Sequence, residues 1–255
     1  MIYASRFITH LFATLVAVST ALPAVAQSTQ EGGKGCVILM HGLARSKASM
    51  WVMASALRAQ GYEVVNHNYP SRSAPLGPLA EEAFTTARAG CASDPAPAVV
   101  THSMGGILLR VYAEAHPEAE WDRVVMLGPP NQGSGIIDAY EDIEVFQRLN
   151  GPAGLQLGTD GVPSDLPPLP FEAGIIAGNQ SVNPITSASV EGDNDGKVSV
   201  ESTKVEGMAA HLTLPVTHTF MMNNPRVIAQ TILFLETGAF EVGMTMADAV
   251  ERLAE

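Results

Sequence analysis

The sequence predicts an α/β fold of about six mostly parallel strands, with helices on both faces and one short cap insertion. Three observations predict it. From Cys36 onward short β-branched runs alternate with helix-like segments, the pattern that gives a parallel sheet covered on both sides. Several runs are apolar throughout rather than alternating, as strands buried on both faces read. The rhythm breaks once, over about 129–170, where glycine and proline accumulate.

The chain opens with what reads as an export signal over residues 1–26. Arg6 supplies the positive start, Leu11 to Leu22 a short apolar stretch, Pro23 a break, and Ala24-Val25-Ala26 a small-x-small cleavage site before Gln27. An uncleaved anchor is the rival reading. A span needs about 20 unbroken apolar residues, and Ser19, Thr20 and Pro23 interrupt this one. Cleavage leaves residues 27–255 as one domain with no stable membrane span, secreted or periplasmic.

Cys36-Val37-Ile38-Leu39-Met40 is a continuous apolar strand, stopped by Gly42. Ser49 to Gln60 places Met50, Met53, Ala54 and Leu57 on one helical face, closed by Gly61. Tyr62 to Tyr69, ended by Pro70, is a second strand and Leu76 to Gly90 a second helix. Ala98-Val99-Val100-Thr101 is a third strand that runs straight into His102-Ser103-Met104-Gly105-Gly106 and a helix to about His116. Arg123 to Leu127 is a fourth strand. Beyond it, Pro129 to Pro170 carries a weak helical pattern around Ile136 to Leu149, followed by glycines and prolines. It is expected to be a cap or lid with little regular structure, since long irregular stretches in a compact domain are mostly functional or disordered. Gly174 to Ala177 and Leu212 to Leu214 give the fifth and sixth strands, and Arg226 to Leu235 a closing helix. No internal repeat appears.

With 14 Lys and Arg against 26 Asp and Glu, the formal charge is −12, and it is one unit more negative without Arg6. Such a chain repels phosphate backbones and anionic lipid surfaces, which excludes nucleic acid as a partner. Two cysteines, Cys36 and Cys91, are spaced wrongly for a zinc site. An even count in an exported protein makes a disulfide reasonable, and two independent buried thiols are the alternative. No signal of an oligomeric state is present.

A serine between a strand and a helix, flanked by small residues, suits acyl transfer because the sharp turn lifts its hydroxyl clear of the sheet. Ser103 sits at such a junction, in a T-x-S-x-G pattern with Thr101 where a first glycine is usual. The competing role is a helix cap. The backbone N–H of Met104 at the helix start would face developing negative charge. A second donor is expected from the loop after the neighbouring strand, His41-Gly42-Leu43, through the N–H of Leu43. His41 itself reads as structural.

Serine needs a base, and histidine suits that near neutral pH. In the order serine, acid, histidine only His211 and His218 are available. Seven residues apart, they would stand roughly 20 Å apart if extended, so only one reaches the nucleophile. His218 leaves the last strand and is favoured; His211 is expected at the surface. The orienting acid falls in Asp193-Asn194-Asp195-Gly196-Lys197-Val198, with Asp195 favoured, Asp193 the fallback, and Val198 anchoring the loop. A calcium loop would need glycine where Val198 stands, so no metal is assigned.

Together these pieces resemble the α/β-hydrolase superfamily, in particular small exported bacterial lipases and esterases. The matching segments are His41-Gly42-Leu43, Thr101 to Gly106, Leu127-Gly128-Pro129-Pro130-Asn131-Gln132-Gly133-Ser134, and Asp195-Gly196-Lys197-Val198 followed by His218. The resemblance implies an α/β-hydrolase fold lacking the family's first two strands and an acyl-enzyme on Ser103. It also implies water activated at His218, an imidazole fixed by Asp195, and no cofactor. Asn131 departs from the histidine that related lipases often show there. By the family layout the Cys36 and Ser103 strands are neighbours, with both cysteines near their lower ends, so a Cys36–Cys91 bridge is within reach. The implied substrate is a small-molecule or lipid ester, its acyl chain under the cap among Met104, Leu155, Leu157, Leu166 and Phe171. Thioester cleavage, acyl transfer to an alcohol, or a binding protein that kept the fold are the alternatives.

Overall fold

The computed structural model describes Met1, residues 33–92 and residues 94–255. The export-signal reading falls on residues that lie, Met1 apart, outside the described ones. The elements run β1 (Cys36–Met40), α1 (Trp51–Ala59), β2 (Glu63–His67), α2 (Leu76–Gly90), β3 (Ala98–His102), α3 (Met104–Ala115) and β4 (Val124–Leu127). They continue with α4 (Gly135–Tyr140), α5 (Glu144–Leu155), α6 (Val162–Asp165), β5 (Ala173–Gly178), α7 (Pro184–Ala188), β6 (Ala210–Leu214), α8 (Pro225–Thr237) and α9 (Met246–Ala254).

The six strands form one sheet in the order β2-β1-β3-β4-β5-β6, parallel throughout. The four inner strands are buried along their whole length, which is why their sequences read as unbroken apolar runs. Successive side chains alternate between the faces. Ile38, Met40, Val99 and Ile175 pack with α2 and α3, while Val37, Leu39, Val100 and Ile176 pack with α1 and α8. The predicted layering of helices on both faces is therefore present.

Cys36, at the start of β1, is bonded to Cys91, just past α2, with 5.8 Å between the Cα atoms. A link closing a 55-residue separation removes loop-closure entropy from the unfolded chain, typically about 2–4 kcal/mol. The Asp94 carboxylate ties the same corner, accepting from the backbone N–H of Cys36 at 2.9 Å and of Ala96 at 3.2 Å.

Two readings are corrected, and one helix is added. The stretch 129–170 is not irregular after its first helix, since α4, α5 and α6 occupy much of it. Gly151, at φ 66°, breaks α5, and Pro152 opens its second half, where a residue without an N–H costs nothing. His211 is not a loose surface residue: it is half-buried on β6, with Nε2 hydrogen-bonded to the Thr203 hydroxyl at 2.8 Å. The amphipathic α9, unread in the sequence, packs on α8 through Ala249, with Met244 just ahead of it in the same cluster. It begins with a capping box in which Thr245 and Asp248 exchange side-chain and backbone bonds.

Candidate active site

All strands of a parallel sheet end on the same edge, so the loops after β1, β3, β4 and β6 share one rim. Ser103 follows β3 immediately and has φ 54°, ψ −125°, a conformation that β-carbon-bearing residues rarely adopt and that persists only where surroundings enforce it. Its N–H donates to the Leu127 carbonyl at 2.8 Å. Two glycines make room. A Cβ at Gly105 would lie 2.7 Å from the Met40 carbonyl oxygen, and one at Gly106 would meet the Met126 methyl at 2.7 Å and the Thr101 hydroxyl at 3.2 Å. The space left by Gly106 accommodates Thr101, whose replacement of the usual first glycine is thus tolerated.

Ser103 Oγ and His218 Nε2 are 2.9 Å apart, and His218 Nδ1 lies 2.6 Å from Asp195 Oδ2. Both members of the acid–imidazole pair are buried, their side chains 0% and 5% exposed. The other carboxylate oxygen of Asp195 accepts from the N–H groups of Lys197 at 3.0 Å and Val198 at 2.8 Å. Gly196, at φ 98°, permits that tight turn, and Val198 is buried as its anchor. The backbone N–H of His218 donates to the Asp195 carbonyl at 3.0 Å. The imidazole is therefore held at its Nδ1 with Nε2 aimed at the hydroxyl. Asp193 stays exposed and takes no part.

His102 braces this arrangement from below. Its ring is fully buried against that of His218, centroids 4.8 Å apart, and Nε2–H donates to the His218 carbonyl at 3.0 Å. Burial, and then the nearby His218, hold its pKa well below the ordinary histidine value, so it stays neutral and keeps that single donor.

The loop His41-Gly42-Leu43 lies against the serine: a Cβ on Gly42 would come within 3.1 Å of Ser103 Cβ. His41 Nδ1–H donates to the Gly42 carbonyl at 2.9 Å, while Nε2 faces the Tyr69 N–H at 3.4 Å. Because a trans peptide points its C=O and N–H in opposite directions, fixing the Gly42 carbonyl also fixes the Leu43 N–H. Among the described residues neither the Leu43 nor the Met104 N–H has a protein acceptor. Both are donors available to an oxyanion.

Leu43, Ile136, Ile137, Phe146 and Leu157 give an apolar wall to the cavity of about 130 Å³ that Ser103 and His218 also line. Of the side chains expected there, only Leu157 takes part. Met104 points into the core, Leu155 is not in the wall, and Leu166 and Phe171 line other depressions.

The supporting roles of several residues were not read from the sequence. A Cβ at Gly128, φ 55°, would stand 3.1 Å from Asp195 Oδ2 and 3.2 Å from His218 Nδ1, and one at Gly178 would lie 2.8 Å from Asp195 Cβ. Buried Asn194 donates to the carbonyls of Ser187, Val190 and Gly192 and accepts from Gly196 N–H, which shapes the acid's loop. Asn131, the departure from histidine, accepts from Arg110 and donates to the Thr203 carbonyl at 2.8 Å. Among the described residues no cluster of side chains suits a metal ion, and no helix is long and apolar enough to cross a membrane.

The model of the alpha/beta hydrolase family matches residues 37–174. No curated protein matches the sequence. Among solved structures, the mature lipase BlEst2 of Bacillus licheniformis is 18% identical with a TM-score of 0.63, the alignment covering 80% of this chain and 91% of that one. Phospholipase PlaB of Legionella pneumophila is 14% identical at a TM-score of 0.62, over 86% of this chain and 62% of that. Lipase B of Aspergillus fumigatus is 16% identical at 0.58, over 87% and 57%. At such identities the likeness concerns the fold.

Proposed function

The chain belongs to the alpha/beta hydrolase family, and from that premise we propose that it is a carboxylic ester hydrolase working through an acyl-enzyme on Ser103. One observation carries the reading: a hydroxyl, an imidazole and a carboxylate linked at 2.9 and 2.6 Å beside an apolar-walled cavity. Ser103 Oγ attacks the ester carbonyl as His218 Nε2 takes its proton, and Asp195 stabilises the imidazolium and its orientation. The Leu43 and Met104 N–H groups receive the oxyanion. The alcohol leaves with the proton from His218, and water, deprotonated by the same nitrogen, releases the acid. No step requires a cofactor.

The cavity is smaller than the ~300–1,000 Å³ of pockets for drug-sized ligands, which favours a short acyl group over a long tail. The Cys36–Cys91 bond accords with a secreted or periplasmic location, where disulfides persist.

The test is turnover of chromogenic esters of increasing acyl length by wild type and Ser103→Ala. Wild type should show its maximum at short chains, and Ser103→Ala should lose roughly 10⁴-fold or more of kcat while unfolding at the same temperature. Turnover surviving in folded Ser103→Ala would remove the assignment.

A further inference from the structure

Beside the candidate cavity lies a second groove, bounded by loops 44–46 and 68–73 and by Arg148 of the cap. The two depressions share Ala44 and Arg45, so a ligand seated at Ser103 can extend from one into the other. Their chemistries differ. The first sets an apolar wall of Leu43, Ile136, Ile137, Phe146 and Leu157 against Arg45 and Lys197, whereas the second is lined by Arg45, Arg72 and Arg148 and by no carboxylate. In a chain of net charge −12 with only 14 basic side chains, three arginines around one groove run against the overall balance.

Their own bonding leaves charge over. Arg148 pairs with Glu144 at the rim, both side chains exposed. Arg72 donates to the Leu149 carbonyl at 3.2 Å and Arg45 to the Thr219 carbonyl at 3.4 Å. Among the described residues neither has a carboxylate within ion-pair distance. Like charges held together repel unless an anion sits among them, and guanidinium groups match the planar donor needs of phosphate and carboxylate oxygens. Ser71 adds a hydroxyl, its oxygen already receiving the Ala44 N–H at 3.0 Å.

We propose that this groove binds an oxyanion, phosphate or carboxylate, on the alcohol half of the ester, with the acyl half in the apolar cavity. The substrate class is then a short-chain acyl ester of an anionic alcohol. This rests on the ester hydrolase reading for the chemistry, although anion binding itself does not. The negative net charge works against distant polyanions, while a small anion inside the groove meets local positive charge.

The experiment compares kcat/KM for butyryl esters of glycerol 3-phosphate, glycerate and glycerol, and separately titrates the protein with glycerol 3-phosphate, glycerate and glycerol by calorimetry. Wild type should prefer at least one anionic ester over the neutral one by about ten-fold. The larger of the two ratios identifies phosphate or carboxylate. In Arg72→Gln/Arg148→Gln the ratio should approach one and the binding heat of the preferred anion should be lost. Raising NaCl to 0.5 M on unaltered protein should shrink the ratio in the same direction, a measurement that no folding defect can mimic. Equal kcat/KM on all three esters, or a preference untouched by both salt and substitution, would overturn the proposal. If no ester is turned over, the hydrolase reading fails, and the titration alone decides the groove: saturable anion binding that salt weakens supports it, and no binding removes it.

Discussion

His41 shows how a residue without contact to substrate can control the site. Its Nδ1–H on the Gly42 carbonyl and its Nε2 facing the Tyr69 N–H fix one tautomer. Burial, outweighing those bonds, lowers its pKa, which keeps Nε2 free to accept. The consequence is a Leu43 N–H that cannot rotate away. His41→Leu should lower kcat by roughly 100-fold, the scale of losing one oxyanion donor, with KM little changed. His41→Asn, which returns an N–H near the Nδ1 position, should restore part of it. Unaltered kcat in folded His41→Leu would show that the peptide needs no such tether. Residues of this kind are hard to read from a chain. Ser103, Asp195 and His218 were legible because the order serine, acid, histidine belongs to the fold that the motifs resemble, and the three lie in that order on the segments after β3, β5 and β6. Gly128 and Gly178 were not, because what a Cβ would strike at each lies on a loop far away in sequence.

Among the elements, the cap segment depends on α3 as well as on itself. Arg110, buried on that helix, donates to Asn131 after β4 and to the Leu166 and Pro167 carbonyls where the cap returns. Burial pushes its pKa down to about 10, which still leaves it charged at neutral pH. With hydrogen bonds from a charged donor worth about 1.5–3 kcal/mol, Arg110→Met should lower stability by about 3 kcal/mol. Limited proteolysis should then cut first within 156–170; cleavage elsewhere at wild-type rates would contradict the anchoring role. The strands were read nearly to their ends because burial on both faces imposes apolar runs. The cap was misread because its helices are short and interrupted by Gly151 and the prolines, so no long periodic stretch signals them. The α9 helix went unread although Thr245 and Asp248 carry its capping signal and Met246, Ala249, Val250 and Leu253 its apolar spacing.

For the molecule as a whole, histidine burial sets the pH response. His41, His67, His102 and His211 all have pKa values lowered first by burial. In the unfolded chain each titrates near 6.5, so below that value the unfolded state binds more protons and stability decreases as the pH is lowered. The contribution is whole above about 6.5 and is lost as pH drops through the lowered folded values. His116 runs the other way, its pKa raised first by the Glu81 hydrogen bond, but it is surface-exposed and screened. Chemical denaturation midpoints should therefore decline from pH 7 to pH 5, and a midpoint that rises over that range would contradict the burial argument. The adjacency of the Cys36 and Ser103 strands and the pairing of Cys36 with Cys91 followed from the family resemblance rather than from composition, since neither spacing nor periodicity specifies which strands are neighbours.

The central claim is that Ser103 is a nucleophile made basic by His218. It is tested most directly by treating the folded protein with a fluorophosphonate and reading the intact mass and the modified peptide. The account predicts one adduct, on Ser103, forming at a rate that collapses in His218→Ala. Absence of an adduct, or one formed on another residue at an unchanged rate in that variant, would contradict it.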